Sequence, residues 1–465
     1  MKTFQENNRR KAAEIFSSAL CTLNCKYCYL PKADSMRELQ KKVIKTLKRR
    51  VFVRDLEKFY GKNLEFLGLW GAEPTLTLGL IGKTVPELMN RFSKLKEISF
   101  STSLMTNPEI ILDFVKTLAK TERKLKFDCQ ISLDGPAFTT DVNRIKGAVQ
   151  KIPENFFYLI KKLNKVNLGN ANVIFRFKPT LTLDNIGIFN EKKIKIKEYF
   201  DYFENIFQRY KKLNKNKKVT LIPFSGPTLT LPGKYTSSDG KVLAIFFRNL
   251  RIMAKKNKEK HYWEHIKNSL NSYVYRFNRL INYQRELFTK PQMFTCSGGD
   301  SSFGLGIGND FHICHRTFFL NNKEYIDSVL AQKNIKNWDV DLFQKGKIDL
   351  VNDKYITNLK DKKAGVRFMY ILRNYHDFTR LKNSYIIAML KELALAQQTD
   401  KRYLKDNELC LMFAIFLNSA LSCPTEDLLN TGVLHFTPIS LIRLFANGAF
   451  FEILRDHYEN FPRRK

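Results

Sequence analysis

Between residues 14 and 225 the chain alternates short runs rich in β-branched and aromatic residues with longer stretches in which Leu, Ile or Phe recur at helical spacing. Six strand-like runs stand out: EIFSSAL from residue 14, NLEFLGLW from 63, EISFSTSLMT from 97, LKFDCQISLD from 125, NVIFRFKPTL from 172 and VTLIPFSG from 219. Strands that alternate with amphipathic helices predict a parallel sheet of βα units, so the expected fold class is α/β, a partial (β/α)6 barrel of the TIM type. In such barrels the chemistry gathers where strands end and lead into helices. Within LKFDCQISLD, strand alternation puts Asp128, Gln130, Ser132 and Asp134 on one face, predicted to look into the lumen. Phe127, Cys129, Ile131 and Leu133 share the other, which places Cys129 in the core.

Beyond residue 225 the pattern changes. Residues 226–290 are polar, Lys-rich and helical in spacing, and a Gly-rich turn region follows at Cys296 to Asn309. From about residue 382 helical spacing returns through Ile387, Leu390 and Leu393. The expected division is therefore a barrel over 1–225, a helical bridge over 226–290, a turn-rich module over 291–381 and a helical region over 382–465.

A chain of 465 residues can bury a large core without disulfide or metal staples. Its 44% apolar, 27% charged and 13% aromatic content excludes a disordered polymer. The best apolar run, Leu409 to Ser422, falls short of the roughly 18 residues of a membrane helix and carries Asn418. The N-terminus is basic but has no apolar stretch or small-residue cleavage site, so no membrane partner and a cytoplasmic location are expected. Eight cysteines, three of them between residues 21 and 28, suit ligation in a reducing compartment better than a disulfide framework. The net charge of +34 points to an acidic partner, either nucleic acid or an acidic peptide. The competing account is compositional: Lys, Asn, Phe and Ile are abundant together, as AT-rich coding produces, and the basic runs read as solvated faces.

Cys21, Cys25 and Cys28 follow the first strand at spacing Cys-x3-Cys-x2-Cys. Three thiolates on one short loop can reach three different irons of a cubane cluster, which leaves the fourth iron open and reactive. A structural zinc site wants four ligands, and neither Lys26 nor Tyr27 supplies the fourth. The segment CTLNCKYCYL resembles the signature of the radical S-adenosylmethionine enzymes. That resemblance implies a 4Fe-4S cluster on these cysteines, with S-adenosylmethionine chelated by the spare iron and Tyr27 near its adenine. It further implies reductive cleavage of the sulfonium to methionine and a 5'-deoxyadenosyl radical, fed by an electron donor such as flavodoxin or ferredoxin. The protein's share in such chemistry is orientation and exclusion of water.

Trp70-Gly71-Ala72-Glu73-Pro74-Thr75 resembles the same family's Gly-Gly-Glu-Pro segment, which implies cofactor contacts from Gly71, Ala72, Glu73 and Pro74. Ala72 departs from the second Gly; it is tolerable if the position needs smallness and disfavoured by roughly 1 kcal/mol or more if it needs a positive φ. Ser132-Leu133-Asp134-Gly135-Pro136, trailed by Asp141 and Arg144, resembles a segment of the family's peptide- and protein-modifying branch and adds Ser132 and Asp134 to the cofactor contacts. Thr106 and Asn107 resemble the segment after the third strand, and Asn107 joins the same set. Arg176, which shares a strand face with Lys178, is a candidate for the cofactor's carboxylate or ribose, and a salt bridge inside the barrel is its alternative. Cys296-Ser-Gly-Gly followed by Asp310 to Cys314 resembles the start of the auxiliary-cluster module called SPASM or twitch. This implies one auxiliary Fe-S cluster on Cys296 and Cys314; the family's further cysteine-dense run is missing, and of the two cysteines that remain Cys423, before Pro424 at an expected helix end, is the better third ligand, while Cys410, amid Leu and Met, reads as core. His312 and His315 flank Cys314 and are candidates for metal ligation, with a hydrogen-bonded structural histidine the commoner reading of each.

The function expected from the resemblance is radical modification of a peptide or protein side chain by crosslinking, epimerisation or oxidation. RNA modification, motivated by charge, and a non-catalytic iron-sulfur redox sensor are the alternatives.

Overall fold

The structure, a computed structural model, describes residues 11–28, 30, 35–191, 196–225, 228–229, 237–256, 302–306 and 311–312. Each of the strand-like runs yields a strand. In chain order the elements are β1 (Ala12–Ser18), α1 (Ser35–Arg49), α2 (Val51–Tyr60), β2 (Phe66–Gly71), α3 (Leu78–Gly82), α4 (Val85–Arg91), β3 (Glu97–Thr102), α5 (Glu109–Ala119) and β4 (Lys126–Ile131). They continue with α6 (Ala137–Asn143), α7 (Ala148–Leu163), β5 (Asn172–Phe177), β6 (Thr180–Leu181), α8 (Leu183–Glu191), α9 (Ile196–Leu213) and β7 (Val219–Ile222). Then come β8 (Thr228–Leu229), α10 (Ser237–Lys256), β9 (Ser302–Leu305) and β10 (Phe311–His312).

The main sheet runs β10-β9-β1-β2-β3-β4-β5-β7, with β10 antiparallel to β9 and the other seven strands parallel. The expected strands stand side by side in chain order, as a partial barrel requires. The seventh parallel strand was not legible: Ser302–Leu305 lies alongside β1 in register from Ala12↔Ser302 to Ile15↔Leu305 and extends the sheet on that side. Its sequence, SFGL, is too short and too rich in Gly to show strand periodicity.

Alternation along the strands builds two environments. Phe127, Cys129 and Ile131 are fully buried on the outer face of β4, as are Val173, Phe175 and Phe177 on β5, beneath the helices. Phe156 of α7 meets Phe175 and Phe177 edge-on at ring-centroid distances of 5.6 and 5.2 Å. Helix α5 turns Ile111, Leu112, Val115 and Leu118 inward at three- and four-residue spacing, each burial contributing about 1.5–3 kcal/mol. On the inner face Trp70, Glu97, Ser99, Asp128, Gln130 and Arg176 line a cavity of about 280 Å³, the barrel lumen. Helix α10 lies within the stretch read as a bridge; it buries Leu243, Phe246, Phe247 and Leu250, and Phe246 stacks on Phe189 of α8. No helix among the described residues is long and apolar enough to cross a membrane.

Candidate functional site

The ends of β1 and β2 are pressed together. The Ala72 N–H donates to the Ser18 carbonyl at 2.8 Å, and Gly71 sits at φ +136°, where a Cβ would lie 2.1 Å from that same carbonyl oxygen. Only glycine fits there. Ala72 has no positive φ, so Ala carries no backbone strain at this position. The Glu73 carboxylate is buried and fully engaged. One oxygen accepts from Thr75 Oγ1 at 2.7 Å, and the other accepts from the Ser103 N–H at 2.8 Å and Ser103 Oγ at 2.6 Å, tying the end of β2 to the turn after β3. Pro74 opens a single 3-10 turn, after which Thr77 Oγ1 donates to the Ser17 carbonyl at 2.7 Å. From the other side Gln40 of α1 accepts from the Ala19 N–H at 2.6 Å, fixing the chain just before Cys21.

The cysteine loop docks against the turn after β4. The Lys26 N–H donates to the Asn143 carbonyl at 2.9 Å, and the Cys28 N–H to the Cys25 carbonyl at 3.1 Å. Asp134, wholly buried, is the hub. Its carboxylate accepts from Tyr27 Oη at 2.9 Å, Arg144 Nη2 at 2.8 Å and the Thr180 N–H at 2.9 Å. Arg144 in turn directs Nη1 at Cys25 Sγ, 3.8 Å away, and lies over the Tyr27 ring at 5.5 Å. Gly135 follows at φ +123°, where a Cβ would lie 2.4 Å from Tyr199 Cε2. Asp141 accepts from the Gly147 and Val149 N–H groups at 3.1 and 2.8 Å, so it caps α7.

The electrostatics follow from this crowding. Burial raises the Tyr27 phenol well above its ordinary value; Arg144 opposes the rise and Asp134 adds to it. Burial works against the Arg144 cation, but Asp134 and Tyr27 outweigh it and hold its pKa above the usual guanidinium value. Cys21 keeps an exposed edge at the mouth, yet the surrounding protein desolvates its sulfur and pushes the thiol up to about 12. The Leu23 N–H, 3.3 Å from the sulfur, lowers it, while Glu73, Cys25 and Cys28 raise it further.

These residues fit an iron-sulfur cluster. Cys25 and Cys28 help to raise the Cys21 thiol, an effect that a bound cationic centre reverses. Arg144 Nη1, 3.8 Å from Cys25 Sγ, is a buried donor at the loop, and the Nε of the same guanidinium is buried with no partner. Among the described residues no group of three His, Cys, Asp or Glu side chains is gathered closely enough for a single metal ion. A cubane makes a different demand, since it spreads its thiolates over separate irons.

The remaining expected residues fall in several places. Ser132 stands half-buried at the mouth, its N–H donating to the Thr102 carbonyl at 2.8 Å. Asn107 is exposed, and its side-chain oxygen accepts from the Glu109 N–H at 3.0 Å at the start of α5. The Arg176 guanidinium is committed to Asp128 within the lumen, through Nε at 2.6 Å and through Nη2. Lys126 adds bonds of 3.1 Å to Asp128 and 3.0 Å to Glu97, so the salt-bridged alternative describes Arg176. Cys129 is fully buried, as strand alternation required. Cys296, Cys314, Cys410, Cys423 and His315 lie outside the described residues, and of His312 the structure gives the backbone in β10. Sequence reasoning missed Gln40, Ser103 and Asn143; isolated polar residues on a helix or turn carry no motif.

No protein-family model matches the chain, and no curated protein matches it. Among solved structures, native anSMEcpe with bound AdoMet aligns over 97% of this chain and 98% of its own, at 13% identity and a TM-score of 0.50. The chain shares the fold of anSMEcpe. The hexahistidine-tagged form of anSMEcpe with bound AdoMet aligns over 97% of this chain and 98% of that one, at 14% identity and a TM-score of 0.47. Streptococcus suis SuiB bound to precursor peptide SuiA covers 68% of this chain and 61% of its own, at 16% identity and a TM-score of 0.37.

Proposed function

We propose that this chain is a radical S-adenosylmethionine enzyme that holds a 4Fe-4S cluster on Cys21, Cys25 and Cys28 and modifies a peptide or protein side chain. The observation that carries the reading is the docking of the cysteine loop at the barrel mouth. Its backbone is fixed to Asn143 and its Cys25 thiol to Arg144, beside the turns that follow β2, β3 and β4. The fold shared with anSMEcpe, whose structure holds AdoMet, supports the choice of cofactor. When bound, the cluster and S-adenosylmethionine supply a one-electron cleavage whose 5'-deoxyadenosyl radical takes a hydrogen atom from the substrate. Ser132, the backbone of Gly71 and Ala72, Pro74 and the Tyr27 ring border the place for the cofactor. Glu73 and Asp134, engaged by neighbours, hold the surrounding turns in position.

The segment from Ser132 to Pro136, with Asp141 and Arg144, supports a peptide or protein substrate through its resemblance to the modifying branch of the family. An auxiliary cluster on Cys296, Cys314 and Cys423 belongs to the same reading, as does an acidic substrate suited to a chain of net charge +34. The test is anaerobic reconstitution with iron and sulfide, reduction, and addition of S-adenosylmethionine. Release of 5'-deoxyadenosine, abolished in Cys25→Ala, is expected; a fully loaded protein that releases none refutes the proposal.

A further inference from the structure

We propose that Arg144 and Asp134 act as an oriented charge pair that sets the reduction potential of the cluster on Cys21, Cys25 and Cys28. This rests on the cluster reading above and adds to it a role for two residues as positioning and tuning groups. Arg144 Nη1 is 3.8 Å from Cys25 Sγ, within hydrogen-bond range for sulfur, and its Nε is a buried donor with no partner. Its side chain is 5% exposed and that of Asp134 0%, so water screens neither charge. The pair cannot swing away from the loop. Asp134 is held by the Tyr27 hydroxyl and the Thr180 N–H as well as by Arg144, and the loop backbone is bonded to Asn143 next to Arg144.

The arrangement has a sign. Reduction adds an electron to an already anionic cluster, so a cation and a hydrogen bond at one of its thiolates favour the reduced form and raise the potential. The Asp134 carboxylate, one residue further from the sulfur along the same contact, opposes that effect. Arg144 is the nearer charge, so its contribution dominates.

The experiment uses the full chain reconstituted with iron and sulfide, without S-adenosylmethionine, and follows reduction by dithionite with redox mediators and electron paramagnetic resonance. Arg144→Gln is expected to make one-electron reduction about tenfold less favourable, a shift of about 59 mV to lower potential. Asp134→Asn is expected to shift it upward. The double variant strands no buried charge, and it is expected to move in the direction of Arg144→Gln by less. Misfolding cannot produce shifts of opposite sign. Shifts of one sign in both single variants, a double variant at the wild-type potential, or loss of iron in all three variants while the wild type is fully loaded would each overturn the tuning role and leave the cluster reading standing. A wild-type chain that takes up no iron overturns both.

Discussion

Replacing Gly71 by Ala tests how tightly the mouth of the barrel is assembled. Two costs add. A side chain at φ +136° occupies a conformation that residues other than glycine rarely adopt, at about 1–3 kcal/mol. The added Cβ would also lie 2.1 Å from the Ser18 carbonyl oxygen and 2.8 Å from the Ser18 nitrogen. These are backbone atoms of a central strand, so they cannot rotate aside, and overpacking of this kind costs a further 1–3 kcal/mol or so. The expected loss is roughly 2–6 kcal/mol, a large part of the 5–15 kcal/mol that typically holds a domain folded. Two controls divide the effect. Gly61 has φ +58° and ψ −134° with nothing within 4 Å of its Cβ position, so Gly61→Ala carries the conformational cost alone, about 1–3 kcal/mol. Gly79 lies in α3 in open space, and Gly79→Ala is expected to be neutral or to stabilise by a few tenths up to about 1 kcal/mol. Urea denaturation of the iron-free chain, followed by circular dichroism, measures all three. If Gly71→Ala costs no more than Gly61→Ala, the close approach of β1 and β2 is not a constraint and the argument for this turn fails.

Two other substitutions probe the rest of the molecule. Cys129→Ala should leave iron loading unchanged while costing about 1–3 kcal/mol in denaturation, because Cys129 is fully buried on the outer face of β4; iron lost together with that thiol would contradict its place in the core. Glu65 has its pKa lowered by hydrogen bonds from Lys96 and then Lys11. Its stabilisation is therefore present above the unfolded value of about 4.3 and lost as pH falls through the folded one. Glu65→Gln should flatten the acid limb of the stability profile below about pH 5, and an unchanged acid limb would show that the ion pairs contribute nothing there.

How much of this was legible in the chain depended on the range of the signal. Strand runs and lumen alternation are local, so Asp128, Gln130 and Cys129 fell on the expected faces. The cysteine spacing is also local, and it marked the loop that the structure places at the mouth. Arg176 exposed the limit of such reading. Its position on the strand is right for the lumen, but whether a guanidinium meets a cofactor or a carboxylate depends on which residue the next strand presents, and β4 presents Asp128. Strand β9 lay further out of reach, since its pairing with β1 joins residues nearly 300 positions apart in a segment without periodicity of its own.

The two motif carboxylates carry the larger lesson. From sequence, Glu73 and Asp134 read as cofactor contacts because the segments that carry them resemble motifs of a known family. In the folded chain each is buried, and donors from another turn satisfy it: Ser103 for Glu73, Tyr27 and Thr180 for Asp134. A buried carboxylate held by several donors is costly to disturb, so each fixes the geometry of a loop that has no regular structure. Glu73 joins the turns after β2 and β3, and Asp134 joins the cysteine loop to the turns after β4 and β5. Held in this way, the four turns stay at fixed separations, and three thiols on a loop become a site of defined shape.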